Sequence, residues 1–164
     1  MKKLCLILAL IMALGALVGC SSGPDKDGYY HAGATFEYDG FKVKVGKYEV
    51  GSDGLISIPF EVTNERAESY NNYSFETWRC VFDKDPDWRK AEGEKIFYHW
   101  NFKEIPGGDT KKMVASILYR GVGEYKIYCT RTGVIDGTDN RDPDEKIIVF
   151  KISKSDATKA GLTL

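Results

Sequence analysis

Apolar and polar residues alternate along most of this chain from Thr35 onward. In FKVKV, residues 41–45, the aromatic ring and the two valines fall on one side and the lysines on the other. A period of two places successive side chains on opposite faces of an extended chain, so it predicts half-buried β-strands. In LISIPFEVTN, residues 55–64, the same pattern predicts an inward face made of Ile56, Ile58, Phe60 and Val62.

Seven such segments follow one another with turns between them: residues 41–50, 55–64, 74–83, 95–102, 111–119, 124–130 and 145–152. Clusters of Gly, Pro, Asp and Asn mark the turns, and no segment shows a sustained helical period. Short strands in this number predict an all-β protein built as a β-sandwich, with a closed barrel as the alternative. Pro59 has no N–H to give a neighbouring strand, so we expect its strand to be bulged there or to lie at a sheet edge.

The chain begins with a segment of a different kind. Two lysines precede an apolar run from Leu4 to Val18, which is too short to span a bilayer as a helix. A charged start, a short apolar run and a small-residue exit are typical of a secretory signal peptide. The stretch Leu17-Val18-Gly19-Cys20 resembles the lipobox of bacterial lipoproteins, which implies that Cys20 is lipidated and becomes the first residue after cleavage. The alternative is a secreted protein cut near Gly19, with Cys20 as a passenger.

These features divide the chain into four predicted parts. Residues 1–19 form a lipoprotein signal peptide, residues 20–34 a lipidated N-terminus and flexible tether, residues 35–153 the sandwich, and residues 154–164 a C-terminal tail. Two or three acyl chains hold a protein to a bilayer almost permanently, because each buried methylene contributes about 0.8 kcal/mol. We therefore expect the protein on the extracytoplasmic face of the cell membrane, or on the outer membrane if its host has two membranes.

The charge of the chain argues against nucleic acid as a partner. Without Lys2 and Lys3, 21 basic residues remain against 24 acidic ones, and the formal net charge is −3. The sequence shows no basic stripe with interleaved aromatic residues. We expect contact with the membrane through the lipid, and with an envelope protein or a glycan through the domain.

Two further motifs resemble known β-domains. GEYKIYC, residues 123–129, is similar to the F strand of immunoglobulin-like domains, where a tyrosine hydroxyl bonds a backbone corner; Tyr125 takes that place. Antibody-type domains have cysteine two residues later, where this chain has Ile127. The F-x-V-x-V of residues 41–45 and the V-x-N of residues 62–64 resemble small bacterial lipoproteins with a C-terminal immunoglobulin-like (telokin-like) domain. This resemblance implies an immunoglobulin-like sandwich of about seven strands and little about mechanism, since many members have no assigned activity.

Two cysteines remain once the signal peptide is removed and Cys20 is lipidated. Cys80 and Cys129 would lie in an oxidising compartment, and both fall on the inward register of their predicted strands. We therefore predict a disulfide between them. The alternative is a pair of buried thiols, because cysteine packs as a small hydrophobic side chain.

The sequence lacks the motifs of common catalytic and cofactor sites. Its two histidines, His31 and His99, do not accompany a Gly-x-Ser-x-Gly elbow, and no Cys-x-x-Cys, His-Glu-x-x-His or glycine-rich phosphate loop is present. We expect a binding or interaction module, not an enzyme, without a cofactor. A hydrolase on the same sandwich, a protease inhibitor and a structural spacer are the alternatives.

One acidic stretch, DKDPDWRKAEGE, has the acid spacing of a calcium-binding loop. Asp83, Asp85 and Asp87 alternate, and Glu94 stands at the twelfth position. Trp88 occupies the sixth position, where glycine normally permits the sharp turn, and strands flank the segment where helices are usual. A solvated, aspartate-rich turn is the alternative.

Aromatic residues make up 13% of the chain, which is more than one sandwich core usually needs. Candidates for an exposed ligand-binding patch are Tyr73, Trp88, Phe97 and His99. Rings with polar tips suit sugar faces and protein hot spots, because they offer apolar area at low entropic cost. The alternative is that these rings only cover strand edges and the tether.

Overall fold

The computed structural model describes residues 23–71, 78–84, 94–95, 97–98, 104–130 and 143–162. Within these ranges the chain forms short and long β-strands and one helix. The strands are β1 (Tyr29–Tyr30), β2 (Thr35–Tyr38), β3 (Phe41–Val45), β4 (Glu49–Val50), β5 (Leu55–Asn64), β6 (Tyr70–Asn71), β7 (Arg79–Phe82), β8 (Glu94–Lys95), β9 (Phe97–Tyr98), β10 (Glu104–Ile105), β11 (Thr110–Leu118), β12 (Gly123–Cys129) and β13 (Lys146–Ile152). The helix, α1, spans Lys154–Lys159.

Two sheets pack face to face, so the predicted all-β sandwich is confirmed. One sheet has the strand order β1-β13-β12-β7-β8, and the other has the order β2-β3-β5-β11-β9 with β4 beside β5. Strands β6 and β10 form a separate pair. The order β3-β5-β11-β9 corresponds to strands A-B-E-D of the immunoglobulin fold, and β13-β12-β7-β8 corresponds to G-F-C-C′.

The core lies between the sheets and contains every inward residue predicted for β3 and β5. These side chains are Phe41, Val43, Val45, Ile56, Ile58, Phe60 and Val62. Trp78, just before β7, is fully buried, and the rings of Tyr38 and Phe60 meet it edge-on with centroids 5.6 and 5.7 Å away. Edge-to-face contacts of this kind add to the free energy gained by burying the rings.

Pro59 lies in a central strand, so of the two predicted placements the sheet edge is wrong; the ladder is instead irregular beside it, where the four steps from Val45 to Glu49 face the three from Phe60 to Ser57. Strand β5 pairs with β11 on one side and with β3 and β4 on the other. Strand β3 ends at Val45 and β4 begins at Glu49, and Pro59 faces the gap between them. Its carbonyl accepts a hydrogen bond from the Gly46 N–H at 2.7 Å. The missing proline N–H therefore falls where the neighbouring strand is interrupted, and the ladder loses little.

Tyr125 occupies the backbone corner that the sequence predicted. Its side chain is buried, its hydroxyl donates to the Gly121 carbonyl at 2.9 Å, and it accepts from the Arg120 N–H at 2.9 Å. The rings of Phe82 and Phe150 stack on either side, with centroids 4.6 and 5.3 Å away. Burial disfavours the phenolate and raises the pKa of Tyr125 to about 12.

The segments that flank the sandwich are more ordered than the sequence predicted. Part of the predicted tether, residues 20–34, forms β1, which runs parallel to β13. Part of the predicted tail forms α1, whose capping box joins Ser153 and Asp156. Both elements are too short to show a periodicity in the sequence. Strand β1 is held by β13, which is distant in sequence, and α1 is held by its local cap.

Cys80 and Cys129 are not joined by a disulfide, contrary to the prediction, and both side chains are buried. Strands β7 and β12 are neighbours in one sheet, and Cys80 lies opposite Ile127, two residues before Cys129. Diagonal neighbours in a sheet have Cα atoms about 7–8 Å apart, whereas disulfides need about 4.4–6.8 Å. The thiols therefore pack in the core, where burial raises the pKa of Cys129.

Candidate functional site

One end of the sandwich brings together an arginine, two aromatic rings and a groove of charged side chains. The β2–β3 turn, the loop after β5 and the start of β13 all lie at this end. The turn of residues 26–28 lies at this end as well, because it leads into β1, which pairs with the first residues of β13; Asp25 folds back onto Tyr29 and His31. We call it the amino-terminal end of the sandwich.

The β2–β3 turn is a two-residue hairpin connection made by Asp39 and Gly40. Tyr38 pairs directly with Phe41 across the turn, and both turn residues have positive φ, +50° and +75°. Positive φ at both positions defines a type I′ turn, whose twist matches that of the strands it joins. A Cβ at position 40 would also displace the guanidinium group of Arg66 from its place over the turn.

Arg66 packs over this turn and links it to the loop after β5. Its Nη2 donates to the backbone carbonyl of Asp39 and lies 3.0 Å from Asp39 Oδ1. The guanidinium carbon lies 4.1 Å from the ring centroid of Tyr70 and 5.6 Å from that of Phe41. An ion pair and stacking on an aromatic face together use the planar guanidinium in a way that a lysine cannot reproduce. Arg66 therefore fixes the shape of the amino-terminal end.

Asn64 holds the loop that carries Arg66. It is fully buried, and its Nδ2 donates to the carbonyls of Glu68 at 2.7 Å and Ile105 at 2.8 Å. Its Oδ1 accepts from the Arg66 N–H at 3.0 Å. This is the asparagine of the V-x-N motif, so in this chain the motif organises the loop after β5 and ties it to β10.

Two adjoining hollows follow strand β2 at the amino-terminal end, with volumes of about 520 and 460 Å³. Glu37 and Lys146 line both, so the hollows form one groove between the edges of the two sheets. The charged residues of the groove are Glu37, Asp39, Lys42, Glu65, Arg66, Asp144 and Lys146. Both signs of charge are interspersed, which suits a polar ligand or a protein surface that itself carries both signs.

The chain is fixed from Asp25 onward by a set of contacts that we call the amino-terminal clamp. The Asp25 carboxylate accepts from the N–H groups of Asp27 and Tyr29, each at 2.9 Å, and lies 2.7 Å from His31 Nε2. His31 Nδ1 lies 3.1 Å from the Val149 carbonyl on β13. Both imidazole nitrogens face acceptors, so the imidazolium form donates to both. The hydrogen bond from His31, followed by those from the backbone, lowers the pKa of Asp25.

Most of the residues predicted to bind metal or ligand fall outside the described residues. Those outside are Tyr73, Asp85, Asp87, Trp88 and His99. Glu94 and Phe97 lie in β8 and β9, and Asp83 accepts a hydrogen bond from the Glu124 N–H at 3.1 Å. In the part of the chain that is described, no three His, Cys, Asp or Glu side chains are grouped to hold a metal ion. The calcium loop and the aromatic patch stay predictions.

Cys20 also lies outside the described residues, so the structure does not bear on its lipidation. Over the described ranges, no helix has the length and apolar character needed to cross a bilayer.

Reasoning from the sequence alone did not identify Asp39 and Arg66. The dipeptide Asp39-Gly40 between two alternating segments is a strong hairpin signal and could have located the turn. Nothing local points to Arg66, because Asp39 lies 27 residues earlier in the chain. Tertiary structure alone brings the two residues together.

No family model and no curated protein matches this chain. Among solved structures it is similar to the yjhA protein of Bacillus subtilis, with 15% identity and a TM-score of 0.45 over 76% of this chain and 99% of that one. A conserved hypothetical protein of Bacillus anthracis has 19% identity and a TM-score of 0.41 over 60% and 87%. The ycdA protein of Bacillus subtilis strain 168, described as a candidate lipoprotein, has 11% identity and a TM-score of 0.47 over 77% and 41%. Similarity of this degree carries no argument about family or function.

Proposed function

We propose that this chain is a lipid-anchored, extracytoplasmic binding module of the cell envelope, attached through Cys20 and without catalytic activity. The signal-peptide pattern and the stretch Leu17-Val18-Gly19-Cys20 support the anchor. We also infer membership of the small bacterial lipoproteins with a C-terminal immunoglobulin-like (telokin-like) domain. The strand order, the Tyr125 corner and the structural role of Asn64 support that inference.

The observation that carries the proposal is the amino-terminal clamp. A segment that serves only as a spacer after the lipidated cysteine needs no fixed structure. Here the chain is hydrogen-bonded from Asp25 onward and paired with β13 from Tyr29 onward. Asp25, the fifth residue after Cys20 in the sequence, is therefore already part of the folded domain. This arrangement suits a domain that is held in a defined place relative to its lipid.

The groove at the amino-terminal end is the binding surface that we propose. It is built on the Asp39–Arg66 pair and on Lys146, so its shape is set by packed side chains and by a tight turn. Its mixed charges favour an envelope protein or a glycan with polar groups over an apolar ligand. The aromatic residues Tyr73, Trp88, Phe97 and His99 remain a predicted extension of this binding function.

Lipidation is tested by replacing two cysteines separately: Cys5, within the predicted signal peptide, and Cys20, directly after it. Cells grown with a clickable palmitate analogue should label the parent protein and the Cys5→Ser variant but not Cys20→Ser. The mature N-terminal peptide should begin at Cys20 and carry the mass of the diacylglycerol group. A parent protein without label, or a Cys20→Ser variant that is labelled as strongly as the parent, contradicts the anchor.

Binding through the groove is tested by site-specific photo-crosslinking in intact cells. A crosslinking residue at Glu37 lies in the groove, whereas one at Ser52 lies in an exposed turn outside it. We expect a discrete adduct from position 37 that Lys146→Glu removes, because the swap reverses one charge of the groove lining. Equal adducts from both positions, or adducts insensitive to Lys146→Glu, would show that partners do not bind in this groove.

A further inference from the structure

We infer that the partner in the groove is an extended peptide segment of another protein, which pairs backbone to backbone with the free edge of strand β2. The inference rests on the proposed function, in which the groove is the binding surface, and it selects a protein segment over a glycan. It follows from the register of the β2–β3 hairpin, because that register decides which backbone groups of β2 face the groove.

The hairpin register directs the backbone groups of Thr35 and Glu37 away from β3. Successive residues of an antiparallel strand alternate between pairs that exchange hydrogen bonds and pairs that do not. The two-residue turn closes one bonded pair at one end of the hairpin, and at the other end the Val45 N–H donates to the Ala34 carbonyl at 2.9 Å. Counting in twos from either end places Thr35 and Glu37 between the bonded pairs. Their N–H and C=O groups therefore point to the opposite edge of β2.

That opposite edge of β2 borders the groove. Over the described ranges β2 is the last strand of its sheet, and no strand pairs with its outer edge. The three residues from Thr35 to Glu37 line the larger hollow, and Tyr30 and Lys146 of the other sheet line it as well. Two N–H donors and two C=O acceptors therefore face a space of about 520 Å³. An open edge of this kind is a template for pairing with another chain.

An extended peptide matches this edge better than a glycan does. In antiparallel pairing, the residues opposite Thr35 and Glu37 would each exchange two hydrogen bonds with β2, which gives four in all. Peptides that add a strand to a sheet take their affinity from such main-chain bonds. Sugar hydroxyls do not alternate in step with a β-strand, so a glycan would leave part of the edge unpaired. The other sheet bounds the groove on its far side, so a single extended chain fits it better than the edge of a second folded sandwich.

The side chains of β2 predict the residue types of the bound segment. Phe36 is buried, and its ring centroid lies 4.8 Å from that of Tyr30, whereas Glu37 is exposed. A bound residue opposite Phe36 lies on the inward side, beside these two rings, and we expect it to be apolar. Its neighbour opposite Glu37 lies on the outward side, where pairing of opposite charges across strands favours Lys or Arg.

Proline substitutions test the backbone pairing, because proline removes one N–H from the chain. Thr35→Pro and Glu37→Pro each delete a donor at the free edge, where proline is tolerated and no hydrogen bond to β3 is lost. Thr35→Val and Glu37→Gln are the matched controls, since they change the side chain and keep the N–H. Urea unfolding checks that each variant is folded, and two independent positions keep the test decisive if one proline prevents folding.

The probe is a synthetic peptide that copies the segment crosslinked in cells from position 37. It is titrated against the full mature protein, purified in detergent, and against the four variants. Each proline should weaken binding roughly ten-fold more than its control does, because it leaves a carbonyl of the peptide unpaired. The bound peptide should also slow hydrogen exchange at the amides of Thr35 and Glu37 in the parent protein.

Several outcomes overturn the inference and leave the groove as the binding surface. They are a peptide that binds the proline variants as tightly as their controls, exchange at the two edge amides that the peptide does not slow, an adduct on a glycan, and an adduct with β2 of a second copy of this chain. The absence of any adduct from position 37 refutes the groove, and the inference fails with it. The two proposals can therefore fail separately.

Discussion

Replacing Tyr125 by phenylalanine removes one oxygen atom from the corner before β12 and leaves the stacked ring in place. That oxygen makes two hydrogen bonds, one to the Gly121 carbonyl and one from the Arg120 N–H, both 2.9 Å long. A buried hydrogen bond contributes about 0.5–1.5 kcal/mol, so Tyr125→Phe should lower the free energy of unfolding by about 1–3 kcal/mol. For a domain of this size, the loss corresponds to a drop of roughly 4–10 °C in Tm.

Tyr119 provides the matched control, because its hydroxyl is buried without a hydrogen-bond partner in the described structure. Tyr119→Phe removes the same atom at no cost in hydrogen bonds, so its stability should equal or exceed that of the parent. Urea unfolding at neutral pH, followed by circular dichroism, measures the difference between the two variants. If they unfold at the same urea concentration, the two hydrogen bonds of Tyr125 do not stabilise the fold and the corner argument fails.

The same pair of variants gives a pH signature. The pKa of Tyr125 rises from its ordinary 10.0 to about 12 in the fold. The stability linked to this group is complete below pH 10 and is lost as the pH rises from 10 to 12, because the unfolded chain ionises first. Two pKa units correspond to roughly 3 kcal/mol, so the advantage of the parent over Tyr125→Phe should largely disappear by pH 12. An advantage that persists unchanged to pH 12 would show that the hydroxyl is not shifted.

Three further changes have defined outcomes. Asn64→Ala leaves the part-buried carbonyl of Glu68 and the buried carbonyl of Ile105 without their amide donor, so urea unfolding should show a loss of about 2–3 kcal/mol. Ser153→Ala removes the cap of α1 and should cost about 0.5–2 kcal/mol by the same assay, with no change in secretion. The lowered pKa of Asp25 means that the contribution of the amino-terminal clamp is present above the ordinary value of 3.8 and is lost as the pH falls through the lower folded value. The protection of the Tyr29 amide, which is its exchange rate relative to the intrinsic rate at the same pH, should therefore fall in that acid range; unchanged protection would show that the carboxylate does not hold the clamp.

The sandwich was predictable because alternation is a local property of the chain. Every second residue of FKVKV and of LISIPFEVTN faces the core, and no knowledge of partner strands is needed to see it. The corner tyrosine was predictable for a similar reason, since its hydroxyl bonds groups only four and five residues away. Features whose cause lies within a few residues can be read from one sequence.

The features that could not be predicted depend on register and topology. The predicted inward positions of Cys80 and Cys129 are correct. A disulfide also needs the two residues to lie opposite each other, and in the register of β7 on β12 Cys80 lies opposite Ile127, two positions before Cys129. The pairing of β1 with β13 joins residues more than a hundred positions apart, and Arg66 meets Asp39 only after β2, β3 and β5 have assembled. The candidate groove could not be predicted for the same reason: its two walls come from different sheets and meet only when the sandwich is assembled.

The described structure also explains much of the aromatic content that suggested an exposed patch. Beyond the rings of the core, four tyrosines pack partly buried against its margins: Tyr30, Tyr48, Tyr70 and Tyr119. Tyr30 meets Phe36 with ring centroids 4.8 Å apart, and Tyr70 meets Phe41 at 5.2 Å. These rings cover the margins of the core. Composition alone cannot distinguish aromatic residues with this structural role from those of a binding patch. Among the described residues Leu118 is the one large apolar side chain that is exposed, so the surface offered at the amino-terminal end is polar, and charge and hydrogen bonding must decide what binds there.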